Sequence, residues 1–199
     1  TQGFLPSTTS VATPAGLYAG VSDASVAYDA KHNVWLISYL GLAPGSGRVD
    51  VLVSRSTDGG FTWGAPVVLN GSGDFNDKNW PVCDNTASSP FYGNCYTEFD
   101  DNTQGDLVLM STSTDGGQHW TAPATNNTGV IGGQPVVRPD GTVIVPTANA
   151  NETAVGAFNS TNGGASWSAT TTIATIRHHT VAGSLREGPL PSAEVDGAG

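Results

Sequence analysis

The sequence predicts an all-β protein built of four-stranded antiparallel sheets, and three observations support this fold class. The chain contains 26 Gly and 12 Pro but only 12% charged residues. No segment sustains the apolar period of an amphipathic helix, whereas short apolar segments separated by turn residues are typical of strands. One eight-residue phrase also occurs three times, and such repetition at long spacing is typical of repeat architectures such as the β-propeller.

The repeated phrase occupies residues 56–63, 113–120 and 160–167, and its first copy is Ser-Thr-Asp-Gly-Gly-Phe-Thr-Trp. The third residues of the copies stand at positions 58, 115 and 162, which are 57 and 47 residues apart. A four-stranded propeller blade takes about 40 to 50 residues. The spacing therefore predicts one phrase in each blade.

The composition of the phrase predicts a hairpin turn. Strand-like segments precede the copies at 49–54, 107–111 and 154–158, and the clearest following segments are 66–69 and 170–173. An Asp or Asn side chain can accept hydrogen bonds from the amides ahead of it, and glycine adopts positive φ without a Cβ clash. The closing tryptophan adds a large apolar body with one N–H group. We therefore expect a structural role for the phrase.

The pattern Ser-x-Asp-x-Gly-x-Thr-Trp resembles the Asp-box, the bacterial neuraminidase repeat of sialidases and other secreted propellers. The first copy matches throughout, the second has His119 for Thr, and the third has Asn162 for Asp and Ser166 for Thr. In that family the turn joins the third and fourth strands at the blade periphery, away from the substrate. The resemblance implies a structural role for Ser56, Asp58, Gly60, Trp63, Ser113, Asp115, Gly117, Trp120, Ser160, Asn162, Gly164 and Trp167.

The resemblance implies that residues 21–199 form part of a sialidase-like propeller, which an extended segment, 1–20, precedes. We expect three blades, followed by the first strand of a fourth, in a ring of six. Closed rings leave no sheet edge open, so a second chain or a further C-terminal half is expected to complete this one. The expected blades lie at 21–70, 78–126 and 131–176, and the next begins at 189–199.

Each blade is assigned four strands from its extended segments and the turns between them. The first blade has strands at 24–28, 34–40, 48–54 and 66–69.

The second blade has strands at 80–84, 95–99, 106–111 and, least clearly marked, 121–125.

The third blade has strands at 134–138, 142–146, 154–158 and 168–173, and Asp140-Gly141 forms a tight hairpin between the first two. Residues 191–196 are predicted to begin the fourth blade.

Charge and hydropathy limit the partners. The net charge is −10, and such a charge repels phosphate backbones and anionic membranes. No apolar segment approaches the roughly 18 residues of a membrane span. We therefore expect neither a nucleic-acid nor a membrane partner, but a glycan or protein ligand.

Cys83 and Cys95 are the only two cysteines, and they enclose a loop. A disulfide explains two cysteines that flank a turn better than a metal site or a catalytic thiol does. Disulfides persist in oxidising compartments, so the pair predicts secretion.

In sialidase-like propellers the substrate face carries the loops between blades and those from second to third strands. The resemblance therefore picks out residues 70–80, with Asp74, Asp77, Lys78 and Asn79, and the end of the second strand of blade two, with Glu98, Asp100 and Asp101. It also picks out residues 175–187, which contain Arg177, His178, His179, Arg186 and Glu187. Candidate catalytic residues are Asp77, Glu98, Arg177 and Arg186, and candidate ligand-binding residues are Lys78, His178, His179 and Glu187.

Each candidate also has a structural alternative. The basic cluster at 175–187 suits an anionic ligand, but its arginines can instead pair with neighbouring acids. Asp77 and Lys78 can form a structural salt bridge. Asp100, Asp101, Asn102 and Asp106 could supply oxygen ligands to calcium, but their spacing is not that of an EF-hand, so a solvated acidic turn is expected. No cofactor or metal is assigned.

Three functions are compatible with these residues. A glycoside hydrolase related to sialidases requires two converging carboxylates or an arginine cluster. A glycan-binding propeller requires exposed aromatic side chains without an acid pair, and a structural or adhesion propeller requires neither. The family's Phe/Tyr-Arg-Ile-Pro motif is absent, since residues 1–24 contain no arginine and Arg138-Pro139-Asp140 lies in a blade hairpin. This absence favours the last two functions over sialidase activity.

Overall fold

A computed structural model of the chain describes residues 4–70, 75–177, 179, 181–185, 187–188 and 190–196. The described residues are all-β, with antiparallel pairing throughout three sheets and one short 3-10 helix at Asn102–Gln104. Sheet 1 has the order β1-β2-β3-β4. Its strands are β1 (Gly20–Asp29), β2 (Val34–Leu42), β3 (Val49–Ser56) and β4 (Val67–Asn70).

Sheet 2 contains β5 (Asn76–Cys83), β6 (Cys95–Asp101) and β7 (Leu107–Ser113) in that order. The fourth strand predicted at 121–125 is wrong, because only an isolated bridge joins Met110 to Ala124. Ala124 still exchanges both backbone hydrogen bonds with Met110. Pro123 has no N–H group to contribute to a ladder, and the segment lies beside β7 through the bonds of Ala124 and a bond from the Thr121 amide to Thr112.

Sheet 3 contains β8 (Val130–Gly133), β9 (Val136–Val137), β10 (Val143–Asn149), β11 (Ala154–Ser160) and β12 (Thr171–Thr175). β8 and β9 both pair with β10, so the single strand predicted at 134–138 is in fact an interrupted one that begins earlier. Pro135 stands in the gap and has no N–H group for the ladder, which accounts for the interruption. The predicted Asp140-Gly141 hairpin is confirmed, with Gly141 at φ 83°.

The three copies of the phrase form the same turn, which we call repeat turns 1, 2 and 3 (56–63, 113–120 and 160–167). In repeat turn 1 the Ser56 hydroxyl donates to Asp58 at 2.8 Å and accepts the Gly60 amide at 2.9 Å. Asp58 also accepts the Thr62 amide at 2.9 Å and the Thr62 hydroxyl at 2.6 Å. Repeat turn 2 reproduces these bonds with His119 in place of Thr62. Repeat turn 3 does so with Ser166, except that the Asn162 amide donates to the Ser166 hydroxyl.

Repeat turns 2 and 3 each pack on the preceding sheet. A Cβ at Gly117 would lie 2.5 Å from Leu36 of sheet 1, and one at Gly164 would lie 3.0 Å from Tyr96 of sheet 2. Trp120 packs on the apolar cluster between sheets 1 and 2, and Trp167 on the cluster between sheets 2 and 3. Glycine is therefore required at these turns for close approach as well as for positive φ.

Two apolar clusters hold the three sheets together. The first joins Leu36, Val51 and Val53 of sheet 1 to Cys95 and Phe99 of sheet 2. The second contains, among others, Tyr96, Val108, Val130, Val145 and Phe158 and joins sheet 2 to sheet 3. The core is thus a series of layers between successive sheets.

The predicted disulfide is confirmed. Cys83 and Cys95 are bonded and stand directly opposite each other in the β5–β6 pairing. The buried Asp84 then organises the loop that the disulfide closes, since its side chain accepts from the Thr86 amide at 3.0 Å and from the Ser89 hydroxyl.

The segments at either end of the described chain lie against the sheets without forming regular strands. Tyr18 donates to the buried Asp50 of β3 at 2.8 Å, which fastens the N-terminal segment to sheet 1. The strand predicted at 191–196 does not form, although the Ala193 backbone exchanges two hydrogen bonds with the Gln134 side chain. No helix among the described residues is long and apolar enough to cross a membrane.

Candidate functional site

The first strand of each sheet is interrupted at a comparable point, and these three points converge on one cleft. β1 shifts register between Ser22 and Ser25, and β5 does so between Asp77 and Trp80. β8 shifts against β10 next to Gly132. Asp23, Lys78 and Gly132 have positive φ angles of 50°, 59° and 64° at these shifts. Bulges redirect side chains, and positive φ in residues other than glycine is costly, so the strands carry local strain at this cleft.

The cleft has a volume of about 270 Å³, and ten residues line it. It combines an aromatic wall, Trp80, with polar side chains and backbone; the indole of Trp80 is 43% exposed. This mixture of one apolar surface with a few polar groups is typical of small-molecule sites. The lining residues are Asp23, Ala24, Ser25, Lys78, Asn79, Trp80, Gly132, Gly133, Leu190 and Pro191.

Asn79 is nearly completely buried in the wall of the cleft. Its Nδ2 donates to Ser38 Oγ of β2 at 2.9 Å, and its Oδ1 has no hydrogen-bond partner within the described part of the chain. A buried amide oxygen without a partner is costly. Asn79 therefore fixes β5 to sheet 1 and leaves one acceptor unused beside the cleft.

Asp77 and Lys78 form the salt bridge that the sequence left open. Lys78 Nζ lies 3.3 Å from Asp77 Oδ2, and the Lys78 amide donates to Asp77 Oδ1 at 2.8 Å. Both side chains are partly exposed. Of the two, Lys78 lines the cleft, and Asp77 compensates its charge.

Glu98 lies directly behind the cleft but does not reach it. The side chain is fully buried in β6, and a Cβ at Gly133 would lie 3.1 Å from its carboxyl carbon. Neither carboxyl oxygen has a hydrogen-bond partner among the described residues. Burial raises the pKa of Glu98 well above its usual range, and the neighbouring Asp100 adds to the shift. Burial in β6 therefore favours the protonated form of Glu98,.

Comparison of the two sheet interfaces explains why Glu98 has no partner. Ser38 and Glu98 occupy equivalent positions in sheets 1 and 2. Ser38 pairs with Val53, three residues before Ser56, and Glu98 pairs with Met110, three residues before Ser113. At the first interface Asn79 supplies a hydrogen bond to Ser38. At the second the facing position is Gly133, which has no side chain.

Asp100 and Asp101 are buried, so the expectation of a solvated acidic turn is wrong. Asp101 caps the 3-10 helix, accepting the Thr103 amide at 3.0 Å. Asp100 accepts only a long bond, 3.4 Å, from the Gly132 amide. Burial raises the pKa of Asp100 to about 7, Asp77 and Asp106 add to the shift, and the Gly132 amide and Lys78 oppose it. No group of three or more metal-ligating side chains occurs in the described residues.

The basic segment does not join the cleft in the described part of the chain. Arg177, His179 and Glu187 are exposed, and none of them lines the cleft. His178 and Arg186 lie outside the described residues, as does Asp74. The structure therefore places Lys78 in the cleft, Asp77 beside it and Glu98 behind its wall. Arg177, His179 and Glu187 of the basic segment do not line the cleft.

Sequence reasoning missed Asp23. A signal was present, since Asp23 and Lys78 stand 33 and 35 residues before the repeat-turn serines Ser56 and Ser113. Matching the copies backwards from the repeat turns would have placed the two positions within two residues of each other. The resemblance instead directed attention to loops, whereas these residues lie at bulges within strands.

Comparison with solved structures shows what kind of fold this is. A Hadza microbial sialidase matches 75% of this chain at 20% identity, with a TM-score of 0.56. The α-L-arabinofuranosidase of Fusarium graminearum matches 78% at 16% identity, and the exo-β-1,3-galactanase of Phanerochaete chrysosporium matches 83% at 14%, both with TM-scores of 0.56. The chain thus has an all-β fold of antiparallel sheets like that of propeller-type glycoside hydrolases.

The chain covers 33%, 49% and 38% of the lengths of these three proteins. It therefore shares between a third and a half of each solved structure. No protein-family model matches the sequence, and no curated protein matches it.

Proposed function

We propose that this chain provides the glycan site of a secreted, sialidase-like propeller that acts on or recognises extracellular glycans. The observation that carries the proposal is the convergence of three bulged first strands on one cleft, which presents Asp23, Lys78 and Trp80 together. A sugar ring has apolar C–H faces that can pack on an indole, and a rim of hydroxyls that can bond to the polar groups. The named activities of the similar structures support a glycan as the ligand.

Hydrolysis is the first candidate activity. Most glycosidases combine one protonated and one ionised carboxyl group. Asp23 is exposed in the cleft, and Glu98 is buried behind its wall, where burial favours the protonated form, so two carboxyl groups in different environments lie close to one site. In this proposal Asp23 or Asp77 serves as the ionised group, and Glu98 reaches a substrate only after the backbone at Gly132 and Gly133 moves.

Glycan binding without hydrolysis is the second candidate, and the complete burial of Glu98 favours it. The exposed Trp80 is the aromatic surface that such a protein needs. An adhesion or protein-binding role is the remaining alternative, and it would use the surfaces of the outer sheets instead of the cleft.

The test compares Trp80→Ala with Trp35→Ala, because the two indoles are similarly exposed, at 43% and 39%, and only Trp80 lines the cleft. Wild type and both variants are titrated with oligosaccharides by calorimetry and assayed on a panel of 4-nitrophenyl glycosides. We expect Trp80→Ala to weaken binding at least about tenfold, which corresponds to about 1.4 kcal/mol, and Trp35→Ala to leave it unchanged.

Release of nitrophenol that Glu98→Gln abolishes would assign hydrolysis, whereas binding without turnover would assign recognition. Equal effects of the two tryptophan substitutions, or no glycan binding by the wild type, would contradict the proposal.

We also propose secretion and completion of the propeller by further sheets. The disulfide supports an oxidising compartment. Repeat turn 1 supports a missing neighbouring sheet. A Cβ at Gly59 or Gly60 would meet only Phe61 and Trp63 of the same turn, whereas a Cβ at Gly117 or Gly164 would meet the preceding sheet. Phe61 is 89% exposed.

A further inference from the structure

Repeat turn 2 packs on sheet 1 through two neighbouring side chains. Leu36 of β2 pairs with Arg55, the residue just before Ser56. A Cβ at Gly117 of the turn would lie 2.5 Å from the Leu36 side chain. Arg55 Nε donates to the Gly116 carbonyl at 2.9 Å. An apolar side chain and a polar side chain opposite it therefore hold the two glycines of the turn.

Repeat turn 3 packs on sheet 2 at the equivalent positions. Tyr96 of β6 pairs with Thr112, the residue just before Ser113, and a Cβ at Gly164 would meet both Tyr96 and Thr112. The two interfaces thus share one arrangement, which we call the docking patch. It consists of a large apolar residue on the second strand of a sheet and the polar residue that pairs with it, one position before the serine of that sheet's own repeat turn.

Sheet 3 also has a docking patch, and no repeat turn occupies it in the described part of the chain. Ile144 of β10 pairs with Asn159, the residue just before Ser160. Both side chains are partly exposed, and Ile144 lines a cleft of about 390 Å³. Sheet 3 therefore presents the surface that a further repeat turn requires.

Repeat turn 1 has the complementary deficiency, since it lies on no docking patch. Among the described residues, a Cβ at either of its glycines would meet only side chains of the same turn. The turn borders a cleft of about 580 Å³ between residues 60–63 and the N-terminal segment. Phe61 is 89% exposed here, at the position where repeat turns 2 and 3 have Gln118 and Ala165. An exposed aromatic side chain beside open glycines favours burial against another surface.

Taking the proposed completion of the propeller as its basis, we infer that the missing neighbour is a second copy of this chain, with repeat turn 1 of each copy on the docking patch of sheet 3 of the other. Both halves of this joint lie on one chain, and the joint repeats an interface that the chain already forms twice.

The size of such a pair also fits the fold. Two copies with three sheets each form a ring of six, and closed propellers contain about four to eight blades. One copy covers 49% of the Fusarium graminearum enzyme, so two copies approach the length of that structure. The pair contains two identical joints and covers the outer faces of sheets 1 and 3 in both copies.

The experiment uses two variants of the full chain, each of which disrupts one half of the joint. Phe61→Glu alters repeat turn 1, and Ile144→Glu alters the docking patch of sheet 3. Asn159→Glu tests the same patch if Ile144→Glu does not fold, as judged by circular dichroism and melting curves. The control is Leu185→Glu, because Leu185 is 70% exposed and lines neither cleft. Light scattering and sedimentation equilibrium measure the association of the wild type, each variant and an equimolar mixture of the two joint variants.

We expect a dimeric wild type, an equally dimeric control and association at least about tenfold weaker for each joint variant alone. The mixture should associate at least about tenfold more tightly than either variant, because the intact turn of the Ile144→Glu variant can dock on the intact patch of the Phe61→Glu variant. A face-to-face dimer of sheet 1 with sheet 1 would show no such recovery.

A monomeric wild type, an assembly larger than a dimer, or a mixture that associates no better than its components would overturn the inference. Each of these results would leave the proposed glycan site standing, because Phe61 and Ile144 lie outside the cleft. Glycan titration of the same wild-type samples tests that site separately, and absence of binding would contradict the proposed function itself.

Discussion

The carboxyl groups of Glu98 and Asp100 are buried with few hydrogen-bond partners, which is costly to the fold. Each would have to leave water as a charge in the interface between sheets 2 and 3, where Asp77 and Asp106 face Asp100 with the same sign and Lys78 opposes them. Ionisation is therefore disfavoured, and the groups retain protons at a pH at which exposed carboxyls have lost them. Such groups are more common at functional sites than elsewhere.

We predict that the chain loses stability as the pH rises from about 4 to 7. Because the folded pKa of Asp100, about 7, exceeds its unfolded value, the folded state binds more protons across this interval. The free energy of unfolding then falls by up to about 1.4 kcal/mol per pH unit for each such group. Urea unfolding at a series of pH values measures this slope.

Glu98→Gln should reduce the slope and stabilise the chain at pH 7 to 8, because a neutral amide of similar shape replaces a group that burial prevents from ionising easily. Glu194→Gln is the control, since Glu194 is exposed. An unchanged pH dependence in Glu98→Gln would show that Glu98 does not titrate inside the fold.

At the scale of the element, the repeat turn is a self-contained hydrogen-bonded unit. The serine and the Asp or Asn of each turn accept hydrogen bonds from the turn's backbone amides. The side chain four positions after the Asp or Asn, which is Thr62, His119 or Ser166, forms a hydrogen bond with the carboxylate or amide. These bonds lower the pKa of Asp58 to about 2, principally through the hydroxyl and amide of Thr62. For Asp115 partial burial acts against the shift, but bonds from the His119 amide and ring and from Ser113 prevail and the pKa is also about 2.

We predict that Ser113→Ala destabilises the chain by about 1 to 3 kcal/mol, because it leaves the buried Gly117 amide without its acceptor,. Ser56→Ala should cost less, since the Gly60 amide in the more exposed repeat turn 1 can bond to water. Thr114→Ala, at the exposed neighbouring position, is the control. Thermal unfolding ranks the three variants, and equal losses for Ser56→Ala and Ser113→Ala would contradict this account of burial.

We predict that reduction of the disulfide, or the double substitution of Cys83 and Cys95 by serine, destabilises the chain by about 2 to 3 kcal/mol. The two cysteines are 12 residues apart, and the loop between them supplies Asn85, which bonds to the backbone of the β1–β2 hairpin. Release of the loop therefore also weakens contact between sheets 1 and 2. Unfolding with and without reductant measures the loss, and an unchanged midpoint would show that Asp84 and its partners suffice to hold the loop.

At the scale of the whole molecule, the three sheets pack in series, and the two outer faces of the series are covered only in part. On sheet 1, Val26 and Trp35 alternate with the residues that face sheet 2, and they remain 53% and 39% exposed. On sheet 3, Ile173 of β12 is 67% exposed. Exposed apolar residues on sheet faces favour association.

We predict that the isolated chain associates in solution, and that Val26→Lys together with Trp35→Lys reduces this association, because charge on the outer face of sheet 1 opposes packing by another sheet. Light scattering coupled to size exclusion measures the mass. Ala30→Lys, in the exposed hairpin between β1 and β2, is the control. A monomeric wild-type chain at all concentrations would contradict the prediction and show that the terminal segments cover the outer faces sufficiently.

Much of the fold followed from local sequence, and less of the site did. Eleven of the predicted strands overlap strands of the structure in the expected order, because alternation of apolar residues and turn residues is a local signal. The segments at 121–125 and 191–196 were misassigned, since pairing depends on a neighbouring strand and these segments have none in regular register. Asp77, Lys78 and Glu98 were named, and the Asp77–Lys78 salt bridge was among the alternatives, but the burial of Glu98 was not predictable, and Asp23 was missed.

The sequence by itself determined the all-β class, the three turns and the disulfide, because each depends on residues close together in the chain: a serine and an aspartate two positions apart, glycines that accept positive φ, and two cysteines that flank one loop. Only the tertiary structure decided the cleft. Asp23, Lys78 and Gly132 come together because three sheets pack in series and each first strand bulges at the same level. Glu98 loses its partner because the next sheet presents Gly133 where the preceding interface has Asn79. Such relations join residues that are distant in the chain, and their energies depend on burial, which a linear pattern does not specify.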